Sequence, residues 1–457
     1  MLAPELIIPL QRSIVFSIMI AKSNHLQTPK GYSVELPLVS LPAQKYLWIP
    51  KTNSRCAKAD VAIEVGQKVS FAQEVGVRHG PFFDQPIFSP CSGTYLGLEK
   101  HGYRNGKVID YLKFENDGLD TLDPSVKKSS FEDLKKTLTQ DKLVETLKHY
   151  AAVGLGGSSF PAYVKMQTKE TIRTILIDGV ECEPYVTADH RALENEDTLR
   201  KVIEGMILLE EVFHCRDARI CIKGKHKELV PVFSKVIAEY PDSGVRMQLL
   251  GSFYPQGWEI EMIRRATGIE VKPGTLPAKY GILNFNVNSM IQMMSILEDG
   301  MPIMERVVNV NGDEIVSPKA IKARVGTPFS ALIQECGGYK SETDEKILLV
   351  GGAMMGTSIP TDDCMVTRTV TSIVCNKKVT YKEEPCIRCG SCVLSCPAHL
   401  HPVLVMKTMK TMPVDRQKIK DLHVLNCMEC GLCSYSCTSK IPLTDYMRRA
   451  KIVAKLP

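Results

Sequence analysis

The sequence predicts a multidomain chain that combines α/β and α+β units. Three observations carry that expectation. At 457 residues the chain is too long for one hydrophobic core. Its apolar pattern changes along its length, from short runs broken by Gly and Pro, to alternating strand and helix patterns, to a cysteine-rich tail. Finally, eight of its 16 cysteines fall in two tight groups after Lys382.

The bulk composition excludes several classes. Apolar residues make up 44% and charged residues 24%, as in ordinary globular proteins. The formal net charge of +6 is small and forms no basic stripe, so nucleic acid is not an expected partner. The other eight cysteines (Cys56, Cys91, Cys182, Cys215, Cys221, Cys336, Cys364 and Cys375) are scattered, mostly among apolar residues. A secreted disulfide framework does not suit so long a chain, so free thiols in a reducing compartment are expected.

Residues 1–29 read as an N-terminal extension. The run Leu6–Ala21 is apolar but contains Gln11 and Arg12. It is shorter than the roughly 20 residues that cross a bilayer. It also lacks the basic start and the small-residue cleavage site of a secretory signal. Met19 is an alternative start. No other stretch suits a membrane span, so any membrane attachment is expected to run through partners.

From 30 to 125 short apolar runs alternate with turns. Val61–Val65 leads into Gly66, and Pro86–Phe88 into Pro90 and Gly93. This is a small β domain whose rhythm resembles biotinyl and lipoyl barrels, without the hairpin lysine that those carriers modify. Phe131–Ala151 carries Leu134, Leu138, Leu143 and Leu147 at helical spacing. A glycine-rich loop from Gly154 follows, then a short helix and a strand over Thr174–Asp178. Strand and helix patterns alternate to about Leu297, which makes 130–300 an α/β domain. Residues 305–375 hold a smaller strand–helix–strand unit, with a helix over Phe329–Cys336, and a linker. Residues 376–457 form the cysteine-rich unit, with helices between and after its motifs.

The tail carries the most specific signal. Its first motif is Cys386-x-x-Cys389-x-x-Cys392-x-x-x-Cys396-Pro397, and its second is Cys427-x-x-Cys430-x-x-Cys433-x-x-x-Cys437. Three thiolates at three-residue intervals wrap one corner of an iron–sulfur cubane, and the fourth reaches the other cluster. Cys386, Cys389, Cys392 and Cys437 are thus expected on one [4Fe–4S] cluster, and Cys427, Cys430, Cys433 and Cys396 on a second. Zinc is the alternative, but it favours two separated cysteine pairs. Thr438 stands where proline usually follows the last cysteine. Gly390 and Gly431 leave room for backbone amides near the sulfurs.

The glycine loop Gly154-Leu155-Gly156-Gly157-Ser158-Ser159-Phe160 is no dinucleotide fingerprint, because Ser159 stands where the third glycine belongs and a helix precedes the loop. Lys165 follows within one helix, and the next strand runs into Asp178-Gly179-Val180-Glu181-Cys182-Glu183. These two stretches resemble the flavin site of the NADH-oxidising subunit of respiratory complex I. They are closer still to the C subunit of the Rnf-type ion-translocating electron transport complex. Tyr254–Gly257, Gly351–Gly356 and Cys430–Cys437 through Leu443 agree with that family, and the resemblance runs from about residue 28 to the end.

The resemblance implies four named units: a barrel-sandwich β domain, a Rossmann-like FMN/NADH domain, a β-grasp domain of SLBB type and a two-cluster ferredoxin-like domain. It implies FMN and NADH held by Gly154, Gly156, Gly157, Phe160, Lys165, Asp178, Glu181, Glu183, Gly257 and Asn286. Lys165 and the loop would meet the FMN phosphate, Glu181 and Glu183 the ribose hydroxyls, and Phe160 an adenine. It further implies an NADH-linked oxidoreductase subunit with ferredoxin or another low-potential carrier as electron partner. Membrane-integral and peripheral subunits would hold it at the cytoplasmic face of the cell membrane, and no residue of the chain is singled out as catalytic. The chain departs from the family at Asp178 (asparagine there), Trp258 (glycine) and Asn288-Ser289 (Gly-Thr). Two other readings stay open: a cobalamin reductase, which lacks the barrel as a rule, and a cluster-wiring subunit without flavin chemistry, which Asp178 and Trp258 favour.

Overall fold

The computed structural model describes residues 36–456 apart from 82, 157–158 and 342–344. Gly157, Met19 and the extension 1–29 therefore lie outside the described residues.

Eight strands open the described chain: β1 (Leu38–Ser40), β2 (Tyr46–Pro50), β3 (Lys58–Val61), β4 (Lys68–Val69), β5 (Glu74–His79), β6 (Asp84–Phe88), β7 (Gly93–Gly102) and β8 (Val108–Asn116). Seven of them form two facing sheets, ordered β2-β8-β7-β4 and β3-β5-β6. Alternate residues point between the sheets, so Leu47, Ile49, Val75, Ile87, Tyr95, Leu112 and Phe114 make the core. At Gly93 (φ +146°) any side chain would run into the Glu115 carbonyl of the neighbouring strand, so the close pairing of β7 and β8 requires glycine there.

β1 belongs elsewhere. It pairs in parallel with β14 (Lys319–Arg324), Leu38 opposite Ala320, rather than with the barrel strands. The first part of the 30–125 segment thus covers the edge of a sheet more than 200 residues away in sequence; an exposed edge of unpaired N–H and C=O groups needs such a cover.

The expected helix over Phe131–Ala151 is two helices, α1 (Phe131–Thr137) and α2 (Gln140–His149). Ser130 caps the first by accepting from Asp133 N, and Thr139 caps the second by accepting from Lys142 N. That second cap signal ends the run that leucine spacing alone continues. After α3 (Ala162–Met166) come β9 (Thr174–Gly179), α4 (Ala188–Glu194), α5 (Glu196–Phe213), β10 (Ala218–Lys223), α6 (Leu229–Ile237), β11 (Val245–Leu250), α7 (Glu259–Thr267), β12 (Ile282–Asn286) and α8 (Val287–Asp299). The four strands are parallel in the order β11-β10-β9-β12. Ile175, Ile177, Ile220 and Ile222 face α5 and α8 in the largest core of the molecule. The chain leaves β9 for β10 on one side and returns to β12 on the other. The C-terminal ends of β9 and β12 therefore flank a crevice at the point where strand order reverses, the place where such sheets bind ligands.

The third unit is a six-stranded sheet, β1-β14-β13-β17-β15-β16, built from β13 (Glu305–Asn311), β14, β15 (Lys346–Val350), β16 (Thr357–Ile359) and β17 (Ser372–Lys377) together with β1. The helix α9 (Phe329–Glu335) packs Phe329, Leu332 and Ile333 onto Val308, Ile321 and Ile373. The last unit is helical: α10 (Ser391–Leu394), α11 (Pro402–Lys410), α12 (Arg416–Asp421), α13 (Leu432–Tyr435) and α14 (Leu443–Lys455). No described helix is long and apolar enough to cross a membrane.

Candidate functional site: an acidic crevice joined to two thiol-lined cavities

The crevice is built by local chemistry. β9 delivers Asp178 at its end, and Asn286 ends β12 and caps α8, its side chain accepting from Asn288 N at 3.0 Å. The glycine loop lies against that helix start. Leu155 N donates to Ser289 Oγ at 2.9 Å, and Gln292 Nε2 donates to the Val153 carbonyl at 2.8 Å. A Cβ at Gly156 would stand 3.3 Å from the Asn286 side chain, so glycine permits this approach. Phe160 accepts from Gly154 N at 2.7 Å through its carbonyl and stays half-buried. The structure thus brings Gly154, Gly156 and Phe160 together with Asp178 and Asn286. Ser289 and Gln292, which pin the loop, carry no pattern of their own; the Gly-Thr to Asn-Ser exchange at 288–289 was the one visible trace.

Carboxylates crowd the crevice. Asp189, from α4, takes hydrogen bonds from Asn286 Nδ2 and Asn288 Nδ2, both at 2.7 Å, and Glu181 Oε1 accepts from Asp189 N at 3.2 Å. Burial, reinforced by the charges of Glu259 and Glu181, pushes the Asp178 carboxyl up to about 7. Burial followed by the charges of Glu181 and Asp178 holds Asp189 well above the ordinary carboxylate range. Asp178 thus carries a proton in part of the neutral range and can donate to a bound ligand as well as accept.

Lys165, expected at a phosphate, is already committed. Its Nζ donates to Glu259 Oε1 at 2.7 Å and to the Asn284 carbonyl at 2.8 Å. Although burial acts the other way, Lys165 holds Glu259 below its ordinary value. The resulting ion pair joins α3 to the first residue of α7. Trp258 caps α7 rather than occupying a loop. Gly257 packs on Cys182, where a Cβ would meet Sγ at 3.1 Å.

One edge of the crevice meets the tail. Glu183 Oε2 accepts from Met354 N at 3.1 Å, and Gly352 sits so close to the same carboxylate that no side chain fits. The Tyr254 hydroxyl lies 3.4 Å from Glu183 Oε1 and donates to the Cys430 carbonyl at 2.7 Å. Tyr254, Cys430 and Leu432 form a small buried cluster with Cys182, Met354 and Met428. Tyr254 and Met354 were legible only as parts of family motifs; their meeting at Cys430 is a tertiary fact.

In the tail, Cys386, Cys389, Cys392 and Cys437 line one cavity of about 210 Å³. Cys396, Cys427, Cys430 and Cys433 line a second, smaller one. The two short helices that follow Gly390 and Gly431 pack side by side, with Ser395 and Ser436 hydroxyls 2.8 Å apart, and this pairing carries each fourth cysteine across to the other motif. Among the described residues no three of these eight sulfurs lie within 4.8 Å of one another. Four sulfurs on one tetrahedral zinc would sit about 3.8 Å apart. The spacing therefore suits a larger inorganic unit and argues against zinc.

The two cavities differ in exposure. Cys430 and Cys433 are buried, whereas Cys389 is exposed. Burial raises the Cys430 thiol, and pushes Cys433 up to about 11, so a bound metal would have to displace those protons. Leu400 N donates to Cys396 Sγ at 3.3 Å and Glu429 N to Cys427 Sγ at 3.4 Å. The Thr438 hydroxyl lies 3.9 Å from Cys389 Sγ.

A parallel α/β crevice wired into a domain with two four-thiol cavities defines an iron–sulfur flavoprotein of modular build. Four family models match the chain in order: the RnfC barrel sandwich hybrid domain over 19–119, the Nuo51 FMN-binding domain over 147–295, the SLBB domain over 307–358 and the 4Fe-4S dicluster domain over 378–438. The chain is 31% identical over 388 residues to the C subunit of the Na(+)-translocating ferredoxin:NAD(+) oxidoreductase complex of Acetobacterium woodii, covering 84% of this chain and 83% of that one. It is 29% identical over 433 residues to the C subunit of the ion-translocating oxidoreductase complex of Salmonella typhimurium; that match covers 93% of this chain but 57% of the relative. Among solved structures, an NAD+-reducing [NiFe]-hydrogenase in the air-oxidized state aligns with a TM-score of 0.49 at 13% identity, covering 96% of this chain and 90% of that one, a likeness too weak to argue from. The chain belongs to the family of C subunits of Rnf-type ion-translocating oxidoreductase complexes.

Proposed function

We propose that the chain is the electron-transfer subunit of a membrane-bound, Rnf-like complex, passing electrons between NADH and ferredoxin or a similar low-potential carrier. The path runs through FMN in the crevice and two [4Fe–4S] clusters in the tail, while its partners in the complex couple it to ion movement and hold the chain at the cytoplasmic face of the membrane. The observation that carries this reading is the junction of Tyr254, Glu183 and Met354 with Cys430, which joins the crevice to the buried four-thiol cavity.

Bound FMN supplies the exchange between an electron pair and single electrons. The glycine loop, Asn286, Asp178 and Asp189 would hold it, with Glu181 and Glu183 toward the nucleotide hydroxyls and Phe160 toward the adenine of NADH. The Lys165–Glu259 pair would brace α3 against α7. Cys396, Cys427, Cys430 and Cys433 would hold the buried cluster beside the crevice. Cys386, Cys389, Cys392 and Cys437 would hold the exposed one, which is placed to meet a partner.

The test is anaerobic. The clusters are reconstituted, FMN is supplied, NADH is added, and the visible spectrum is followed. Flavin bleaching followed by cluster reduction is the expected result. A second reading, a wiring subunit without flavin chemistry, is favoured by the matched Lys165 and the crowded carboxylates. Assembled clusters with no flavin retained and no response to NADH would establish it instead.

A further inference from the structure

We propose that the cavity between the barrel and the β-grasp unit is a second ligand site, built for a phosphorylated small molecule of mononucleotide size. It measures about 350 Å³. It lies outside the crevice: Val153 and Ser159, near the ends of the glycine loop, line it, whereas Gly156 packs on Asn286.

Four arginines line this cavity, Arg55, Arg78, Arg104 and Arg368, and among the described residues no carboxylate does. Three of them spend their donors on neutral atoms. Arg78, 5% exposed, donates to the Pro50 carbonyl at 2.6 and 3.1 Å. Arg368 donates to the Ala151 carbonyl at 2.8 Å and to Gln85 Oε1 at 3.3 Å. Arg104 donates to Thr369 Oγ1 at 2.8 Å. Elsewhere two sheltered arginines hold acids: Arg324 bonds Asp120 twice at 2.8 Å, and Arg219 bonds Asp217, whereas buried Arg306 has no ion pair either among the described residues. Here burial, then the charge of the nearby Arg368, pushes Arg78 down to about 9.

Arg78 and Arg368 are desolvated and bonded to neutral atoms, which is costly for a cation, and an anion in the cavity removes the cost. Guanidinium forks match phosphate oxygens in pairs. The Ser159 hydroxyl, buried and without a hydrogen-bond partner among the described residues, adds a donor. The rest of the wall is apolar, with Ile303, Met304, Val325 and Phe88. A cationic end facing an apolar wall suits a phosphate carried on a flat organic body better than a bare ion.

The experiment titrates the cluster-reconstituted full chain with ADP and, separately, pyrophosphate by anaerobic calorimetry. FMN retention is read alongside from flavin fluorescence. ADP should bind one per chain and more tightly than pyrophosphate. Arg104→Gln should weaken ADP by about tenfold or more, the loss of one charge-assisted hydrogen bond. Thr369→Glu, which places an internal carboxylate beside Arg104, should abolish binding while leaving the cluster spectrum intact. Both variants should retain FMN as the parent chain does. No binding heat from either probe at millimolar concentration overturns the proposal, as does binding indifferent to both substitutions. Pyrophosphate binding as tightly as ADP overturns the organic-body part. ADP displacing FMN would make the cavity the flavin's own place and overturn a second site, whereas failure of NADH reduction alone would touch only the function proposed above.

Discussion

The Tyr254 hydroxyl donates to the Cys430 carbonyl at 2.7 Å while lying 3.4 Å from the Glu183 carboxylate. Burial, then the Glu183 charge, keeps this phenol protonated far above the neutral range. One side chain therefore ties the acidic edge of the crevice to the loop that presents the buried thiols.

Tyr254→Phe should loosen that tie. The ring still fills its site, so the expected cost is that of one buried hydrogen bond, about 1 kcal/mol, with the Cys430 carbonyl left wanting a donor. Denaturant unfolding measures the loss. Potentiometry followed by EPR should show a shift in the buried cluster and none in the exposed one. Equal shifts in both would mean the contact does not act locally.

Cys437→Ser tests how the ligands divide. Cys437 lines the cavity of Cys386, Cys389 and Cys392, although it closes the second motif. The variant should lose the exposed cluster and keep the buried one, with iron and sulfide falling by half. Loss of the buried cluster instead would assign Cys437 to its own motif.

Thr438→Val removes a hydroxyl 3.9 Å from Cys389 Sγ. A donor near a cluster sulfur favours the more negative, reduced form. The exposed cluster's potential should therefore fall by tens of millivolts, while the buried cluster's stays fixed. An unchanged exposed cluster would give Thr438 a turn-forming role alone.

Asp178→Asn has a pH signature. The carboxyl titrates at about 7 in the fold against a reference value of 3.8. Between those values the folded state holds the extra proton, so this group makes the native state lose stability as pH rises through that window, and the deficit is complete above about 7. Replacement by asparagine should stabilise the chain at pH 8 by on the order of 4 kcal/mol and leave it nearly unchanged at pH 4. FMN retention should also rise, since asparagine keeps a hydrogen-bond donor at this position at every pH and carries no charge. A pH-independent change in stability would remove Asp178 as the titrating group.

Much was legible because it is local. Three cysteines at three-residue intervals form one loop, and that loop's geometry depends on nothing distant. Strand β9 was readable from Ile175–Ile177, and the glycine loop from its composition. The helix over 131–151 was misread at one point only, where the Thr139 cap outweighs leucine spacing.

What the sequence by itself determined is the set of parts: a β domain, an α/β domain, a smaller strand–helix–strand unit and two cysteine motifs in order. Each follows from interactions within a few residues, whose periodicity and spacing are written along the chain. The tertiary structure alone decided how the parts meet. Lys165 finds Glu259 at 94 residues' separation, and Tyr254 finds Cys430 at 176. β1 leaves the barrel for β14, and Arg78, Arg104 and Arg368 converge on one cavity. Such contacts arise from packing whole units against one another, and no local pattern records which side chain will face which.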